Sequence, residues 1–260
     1  MKLNITLLLF LCTCVPVKAE DVPLFAVASN MTQVMTEILN QYRHEPGAGN
    51  INLVFGSSGN FARQIMQGAP FELFLSANKK YVDVLRRDNS RVTAFHEFAL
   101  GRIGYFIPTG SLLSGKKNLK EINQSLINGE YRRIAIANPE FAPYGVAAKQ
   151  SLQTAGLWVI EKEKLLMGEN IAQAMQYTIS GGVDLGIVPQ SIAVLPETRD
   201  KGKFFLIPED WHDPIIEYLV LLKNATPVSR ACYQYLLSGK ATPILEKYGY
   251  MTKTSIMTSD

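Results

Sequence analysis

Cysteine is scarce in this chain, and most of it lies near the N-terminus. Three of the 260 residues are cysteine, and Cys12 and Cys14 fall within the first nineteen residues, which leaves Cys232. A chain with one remaining cysteine cannot form an internal disulfide and must rely on its core, for which 47% apolar residues are sufficient. The apolar neighbours of Cys232 are typical of a small buried residue and not of a catalytic thiol.

Strong charge of one sign is also missing. Without the first nineteen residues the chain loses Lys2 and Lys18 but no acidic residue, so the excess of basic residues falls from three to one. This balance predicts no attraction to nucleic acid or to a membrane surface. The histidines His44, His96 and His212 are scattered and have no metal-ligand spacing, so the sequence predicts no metal site.

Long apolar runs are limited to one segment, residues 5–15. The run is shorter than the roughly 20 residues that a membrane-spanning helix needs. It follows the basic Lys2 and precedes Val17-Lys18-Ala19, which reads as a cleavage site. We therefore predict a secretory signal peptide over residues 1–19 and an exported mature protein. Lipid attachment at Cys14 is a weaker alternative, because the preceding residues fit a lipidation motif poorly.

The chain does contain apolar runs that end in small polar residues and lead into helical patterns. The run LFAV ends at Ala28-Ser29-Asn30, and the run INLVF ends at Gly56-Ser57-Ser58-Gly59. The first helix is marked by one apolar face, formed by Met31, Val34, Met35, Ile38, Leu39 and Tyr42. A helix start has unpaired N–H groups and a partial positive charge, so two converging starts predict an anion site without Lys or Arg.

Similar units follow along the chain. The run FELFLSA ends near Ser76, which is either a ligand residue or a helix cap. In the middle, RRIAIANP leads through Pro143-Tyr144-Gly145 into a helix that we expect to end at Gly156. Another helix begins after Asn170, its predicted N-cap, and VDLGIVPQS then reads as a buried strand.

This alternation predicts an α/β fold with two lobes, each a mostly parallel sheet flanked by helices. We assign residues 20–101 and 211–260 to lobe 1 and residues 102–210 to lobe 2, with chain crossings near 100–108 and 204–212. Ligands of such sheets bind beyond the carboxyl ends of the strands. The site is therefore expected in the cleft between the lobes, where hinge closure can surround a ligand.

Several of these segments resemble the periplasmic molybdate-binding proteins of bacterial ABC importers. The resemblance is carried, in order, by AVASNMTQVMTEILNQY, FGSSGNFARQIMQGAPFELFLSANKKYVDVL, IANPEFAPYGVAAKQSL, DLGIVPQSIA and LEKYGY, over about residues 24 to 250. It implies a type II periplasmic binding fold that encloses a tetrahedral oxyanion, molybdate and also tungstate, and delivers it to an inner-membrane permease. It further implies a monomer in the periplasm, without a cofactor or nucleic-acid partner.

The resemblance also implies a set of ligand residues. The two anion-binding hydroxyls fall on Ser29 and Ser58, and their neighbours Asn30 and Ser57 are further candidates. In lobe 2 the two backbone donors fall on Tyr144, whose ring would pack over the cleft, and Ile171. A tyrosine that many members place after GIV is replaced here by Pro189, which has neither N–H nor hydroxyl, so that contact is absent.

Three alternatives stay open at this point. The four ligand segments contain no acidic side chain, which favours a fully deprotonated oxyanion but does not distinguish sulfate from molybdate. Ser29 and Ser58 are alternatively plain helix N-caps, and Arg63 is expected to pair on the surface. A secreted serine hydrolase, with Ser57 or Ser58 as nucleophile, is disfavoured because GSSG lacks the G-x-S-x-G spacing.

Overall fold

Strands and helices alternate along the chain, as the sequence predicts, and the strands form two five-stranded sheets. The computed structural model describes residues 22–87, 91–158 and 162–252, so the predicted signal peptide with Cys12 and Cys14 lies outside the described residues.

The strands are β1 Leu24–Ala28, β2 Asn52–Gly56, β3 Phe71–Ser76, β4 Val92–Gly101, β5 Ile103–Pro108, β6 Ile134–Ala137, β7 Leu165–Gly168, β8 Leu185–Pro189, β9 Gly202–Leu206 and β10 Ile215–Leu222. The α-helices are α1 Thr32–Tyr42, α2 Ser58–Met66, α3 Lys79–Arg87, α4 Leu119–Ile127, α5 Pro143–Thr154, α6 Ile171–Ile179, α7 Gln190–Ala193, α8 Pro196–Arg199, α9 Pro227–Leu237 and α10 Thr242–Lys247. Short 3₁₀ helices cover Ser29–Met31, Lys162–Lys164 and Glu209–Trp211.

The first sheet has the strand order β2-β1-β3-β10-β4. Strands β1, β2 and β3 are parallel, and β10 runs antiparallel to both of its neighbours. Four of the five strands therefore point the same way, as the prediction of a mostly parallel sheet requires. We call this sheet and the helices packed on it, α1 to α3, α9 and α10, the first-sheet unit.

The second sheet repeats the layout, with the strand order β7-β6-β8-β5-β9. Here β5 is the reversed strand, antiparallel to β8 and β9, whereas β6 is parallel to β7 and β8. Helices α4 to α8 pack on this sheet and form with it the second-sheet unit. The predicted α/β class, with two helix-flanked sheets, is confirmed.

The chain passes between the units twice. Strand β4 ends at Gly101 in the first sheet, and β5 begins at Ile103 in the second. The return runs from the end of β9 at Leu206 to the start of β10 at Ile215. The first sheet is thus built from both ends of the described chain, and the second from its middle.

Helical periodicity in the sequence locates the buried faces correctly. In α1 the predicted apolar positions Val34, Met35, Ile38, Leu39 and Tyr42 are all buried. Helix α5 ends before Gly156, whose positive φ of 71° suits a helix C-terminus. Cys232 is a free, buried thiol in the core of the first-sheet unit, as predicted.

Four helices begin where strands of the two sheets end. The 3₁₀ turn Ser29–Met31 follows β1 directly and leads into α1, while α2 begins two residues after β2. In the second-sheet unit α5 follows β6 and α6 follows β7. Of the helices in the described part of the chain, none is both long and apolar enough to cross a membrane.

Candidate functional site

The four helix starts meet at one small cavity between the two units. The volume open to the centre of a water-sized sphere is about 10 Å³, far below the roughly 300–1,000 Å³ of pockets that take drug-sized ligands. All six residues singled out from the sequence line it. The complete lining is Ala28, Ser29, Asn30, Gly56, Ser57, Ser58, Ala142, Pro143, Tyr144 and Ile171.

Ser29 is the first residue of the helical segment that follows β1, but its side chain does not cap that segment. The residue is buried, and the N-cap position before the 3₁₀ turn is Ala28. The Ser29 hydroxyl makes no hydrogen bond to any residue that the structure describes, although its backbone oxygen accepts one from the Thr32 hydroxyl at 2.8 Å. The hydroxyl is therefore available to a ligand, and the alternative of a plain N-cap is wrong for this residue.

Two hydroxyls stand at the second helix start. Ser57 occupies the N-cap position of α2, but its side chain does not cap the helix, and its buried Oγ lacks a partner among the described residues. Ser58 Oγ accepts a hydrogen bond from Ala77 N at 3.1 Å, which leaves its own hydrogen free to donate. A buried hydroxyl without a partner is costly, and an anion in the cavity would satisfy it.

Backbone donors come from the second-sheet unit. Helix α5 starts with Pro143, which has no N–H, so Tyr144 supplies the first backbone donor of that helix. Helix α6 starts at Ile171 behind Asn170, whose side chain accepts from Gln173 N at 3.1 Å, as the N-cap prediction requires. The N–H groups in the first turn of a helix have no acceptor within the helix and point out of its end.

The electrostatic character of the cavity follows from this lining. None of the ten lining residues carries a formal charge. Hydroxyl and amide donors dominate, and the helix starts add partial positive charge. Such a site suits an anion that presents only acceptor oxygens.

One acidic side chain lies directly behind the cavity, outside the four ligand segments and outside the cavity lining. Glu217 on β10 is fully buried, and its Oε1 accepts from Asn30 Nδ2 at 2.7 Å and from the Tyr144 hydroxyl at 3.0 Å. Asn30 Nδ2 also donates to the Tyr250 hydroxyl at 2.7 Å. The amide group of Asn30 is thus engaged behind the cavity, and its backbone N–H is the donor that remains for a ligand.

The Tyr144 side chain crosses from α5 to the first-sheet unit. Only 2% of the residue is exposed, and its hydroxyl contacts Asn30 and Glu217. The direction follows from α5, which places residue 144 in its first turn against β10. The Tyr144 side chain thus links the two units, and its backbone N–H is a candidate donor towards the cavity.

Pro189 ends β8 and is not part of the cavity lining. Two residues later, Ser191 reaches the first-sheet unit, where its hydroxyl donates to Asn30 O at 3.0 Å. The Tyr250 hydroxyl lies 3.2 Å from both Asn30 O and Ser191 Oγ. The turn after Pro189 thus holds Asn30 and does not reach into the cavity.

Direct contacts between the units close the cavity on its outer side. Gly59 N donates to Phe141 O at 2.9 Å, and Asn60 Nδ2 donates to Glu169 Oε1 at 2.9 Å. The Arg63 guanidinium bonds Asn60 Oδ1 at 2.5 Å and lies over the Phe141 ring, 5.3 Å from its centroid. Arg63 is thus a surface residue, as predicted, and the structure represents a closed cleft.

The other polar candidates lie elsewhere. Ser76 forms a local turn with Asn78 just before α3 and does not line the cavity. His96 bonds the Tyr233 hydroxyl at 2.7 Å, and His212 bonds Asp213 O at 2.7 Å, so neither adjoins a cavity serine. Within the described ranges no three His, Cys, Asp or Glu residues are grouped so that they could hold a metal ion.

Comparison with known proteins decides the family. A family model described as "Bacterial extracellular solute-binding protein" matches residues 24–251. The chain belongs to this family. It is therefore a solute-binding protein and not an enzyme, as the sequence predicts, and the serine hydrolase alternative is excluded.

Two relatives of this solute-binding protein carry the name molybdate-binding protein ModA. The protein of Azotobacter vinelandii is 34% identical over 235 residues, covering 86% of this chain and 88% of the relative. The protein of Escherichia coli K12 is 34% identical over 238 residues, covering 89% of each chain. The solved structure of the A. vinelandii periplasmic molybdate-binding protein superposes with a TM-score of 0.79 at 25% identity, covering 88% of this chain and 99% of that one. The predicted type II binding-protein fold is thereby confirmed.

Proposed function

We propose that this protein captures molybdate, and also tungstate, in the cavity between its two units and delivers it to an ABC importer. The observation that carries the proposal is the convergence of four helix starts on a small cavity lined by uncharged residues. The molybdate-binding proteins of A. vinelandii and E. coli, both 34% identical to this chain, support the choice of anion.

In the proposed complex the ligand is a tetrahedral oxyanion held by donors from both units. The hydroxyls of Ser29 and Ser58 and the backbone N–H groups of Tyr144 and Ile171 are the primary donors. Asn30 contributes its backbone N–H, and Ser57 contributes its unpaired hydroxyl. This assignment is supported by the shared cavity and, among the described residues, by the unbonded Ser57 hydroxyl and by Ser58 Oγ, which only accepts a bond and keeps its hydrogen for a ligand.

The donor set also defines which anions bind. Molybdate and tungstate are dianions at neutral pH and carry no proton, so all four oxygens can accept hydrogen bonds. A protonated phosphate brings O–H groups that need an acceptor, and burying one unpaired costs on the order of 1–3 kcal/mol. Sulfate offers the same acceptors as molybdate but is smaller, so it is the alternative ligand, and cavity size must discriminate against it.

The wider setting follows from the same proposal. Residues 20–101 and 211–260 form one lobe and residues 102–210 the other, and the lobes close on the anion by hinge motion. The signal peptide at residues 1–19 directs the protein to the periplasm, where it acts as a monomer without a cofactor. Its partner is the inner-membrane permease of the importer.

Thermal unfolding of the mature chain tests the proposal. We expect molybdate and tungstate to raise the unfolding midpoint, because a ligand at 100 times its Kd adds roughly 2.7 kcal/mol by mass action. Sulfate at the same concentration should give a smaller shift, and phosphate should give none. The midpoint is measured by calorimetry with each sodium salt at matched ionic strength, and sodium chloride is the control.

Two results would reject the assignment. If none of the four anions raises the midpoint, the cavity does not bind oxyanions. A larger shift with sulfate than with molybdate would make the protein a sulfate-binding protein of the same fold.

A further inference from the structure

Glu217 is a buried acidic group that the proposed ligand set does not use. It lies on β10, the reversed strand of the first sheet, and has no exposed surface. Its Oε1 bonds Asn30, next to the cavity serine Ser29, and Tyr144, whose backbone begins α5. Glu217 therefore connects the two helix starts that face each other across the cavity.

The hydrogen bonds of this group involve only one of its two carboxyl oxygens. Asn30 Nδ2 has two hydrogens, and its shortest contacts are to Glu217 Oε1 and the Tyr250 hydroxyl, both at 2.7 Å. The Tyr144 hydroxyl donates to the same Oε1. Both bonds thus fall on one oxygen, while Oε2 is buried and lacks a partner in the described part of the chain. Oε1 can accept both bonds in the neutral and in the ionised carboxyl, so burial and the nearby charges determine the protonation state.

In the described part of the chain, no positively charged side chain contacts Glu217. Its direct partners are neutral, and burial raises the pKa of Tyr144 and that of Tyr250, which keeps both phenols protonated. The other charged groups on the neighbouring elements have partners of their own or are exposed. Among the acidic groups, Glu72 bonds Thr226 and Ser229, Glu246 bonds Thr252, and Glu97 is exposed. Among the basic groups, Arg102 pairs with Glu209, Lys247 pairs with Glu37, and Lys149 lies over the Trp158 ring. An ionised carboxylate here would be a buried charge without a counterion, placed directly behind the anion.

We propose that Glu217 is a positioning residue of the anion site, a neutral carboxyl that joins Asn30 to Tyr144 when the cleft closes, so that anion binding takes up one proton. The inference rests on the proposed function. The proton comes from solvent and resides on Oε2, and no covalent bond to the ligand is involved.

The proton linkage follows from the position of the network. Tyr144 belongs to the second-sheet unit, whereas Asn30, Glu217 and Tyr250 belong to the first. Opening the cleft separates Tyr144 from Glu217 and admits water, which favours the ionised carboxylate. Closing the cleft around a dianion brings Tyr144 back to Glu217 and excludes water, which favours the neutral carboxyl.

The pKa of Glu217 in the closed structure supports this linkage and sets its direction. Burial raises the pKa to about 8, and the hydrogen bonds from Tyr144 and Asn30 oppose the rise only in part. Because the closed state keeps a proton that the open state releases at lower pH, closure is favoured at low pH. The favourable contribution is lost progressively as the pH rises towards about 8, and it is absent above that value.

The test compares wild type with Glu217→Gln in molybdate titrations between about pH 6 and pH 9, where molybdate stays a dianion. For wild type we expect the Kd to rise with pH, approaching tenfold per pH unit, and to level off above the closed-state pKa. Gln mimics the neutral carboxyl, because its Oε1 still accepts from Asn30 and Tyr144. We expect the Kd of this variant to change less than about twofold over the range.

Calorimetry of wild type provides a second measurement that does not depend on any variant. Titrations in buffers of different ionisation enthalpy should show uptake of up to one proton per molybdate near neutral pH. The matched control is Glu45→Gln, which removes a half-buried carboxylate paired with Lys240 and should retain the wild-type pH profile.

The outcomes separate the two proposals. If molybdate binds but wild type shows no proton uptake, or if Glu217→Gln keeps the wild-type pH dependence, the role of Glu217 is rejected while the proposed function stands. If wild type binds none of the oxyanions at any pH, the proposed function fails and the inference fails with it.

Discussion

Alanine at Ser29 and Ser58 together reduces molybdate affinity by two to four orders of magnitude. Each serine donates to the dianion in the proposed complex, and a hydrogen bond to a charged group contributes about 1.5–3 kcal/mol. The single variants should therefore lose roughly 10- to 150-fold in Kd. Isothermal titration with molybdate measures all three variants against wild type at one pH and ionic strength.

The matched control for these variants is Ser180→Ala. Ser180 is an exposed residue whose hydroxyl donates to Tyr177 O in its own chain segment, far from the cavity lining. Its replacement should leave the Kd unchanged. Unchanged affinity in both Ser29→Ala and Ser58→Ala would show that neither hydroxyl contacts the anion.

A single methyl group at Gly59 prevents full closure of the cleft. A Cβ at this position would lie 2.8 Å from Phe141 O and 3.0 Å from Phe141 Cα, both in the opposite unit, and 2.9 Å from the Tyr81 hydroxyl. Overpacking of this kind costs about 1–3 kcal/mol, so Gly59→Ala should weaken molybdate binding by roughly 5- to 150-fold. Titration calorimetry gives the Kd, and Gly59→Val should weaken binding further.

The free energy of unfolding without ligand distinguishes impaired closure of the cleft from a loss of overall stability. Gly59 lies in the first turn of α2, where alanine has the higher helix propensity, so the ligand-free protein should lose no stability. Gly115→Ala is the control, because a Cβ there meets nothing within 4 Å. Wild-type affinity in Gly59→Ala would mean that the contact between Gly59 and Phe141 is not needed for binding.

The sequence predicts the strand and helix order because this order depends on local signals, whereas the six candidate cavity residues come from the resemblance to molybdate-binding proteins. A run such as LFAV followed by Ser29 identifies a strand end and a helix start without knowledge of the fold. The same holds for Ser57, Ser58 and Ile171. Each of these residues lies within a few positions of the element that places it.

The network behind the cavity could not be predicted in this way. Glu217 is 187 positions from Asn30 in the chain, and Tyr250 is 220 positions from it. Their contact depends on the insertion of β10 beside β3 and on the docking of the C-terminal turn, which no local pattern specifies. One signal was present: an acidic residue within the apolar run IIEYLVLL is costly to bury and therefore suggests a special role.

The partners of the Tyr144 side chain could not be predicted for a related reason. The sequence places residue 144 at a helix start but does not show what lies beside its side chain. In the structure the neighbour is Glu217, and the absence of a Cβ at Gly101 leaves room for the Tyr144 hydroxyl. The packing partner thus comes from the other unit, and only the closed structure brings the two together.

Anomalous diffraction at the molybdenum edge, from crystals grown with molybdate, tests the central claim most directly. We expect one strong peak per chain, inside the cavity between Ser29, Ser58, Tyr144 and Ile171. The ligand oxygens should lie at hydrogen-bond distance from those donors. A strong peak at another place, or an empty cavity at saturating molybdate, would contradict it.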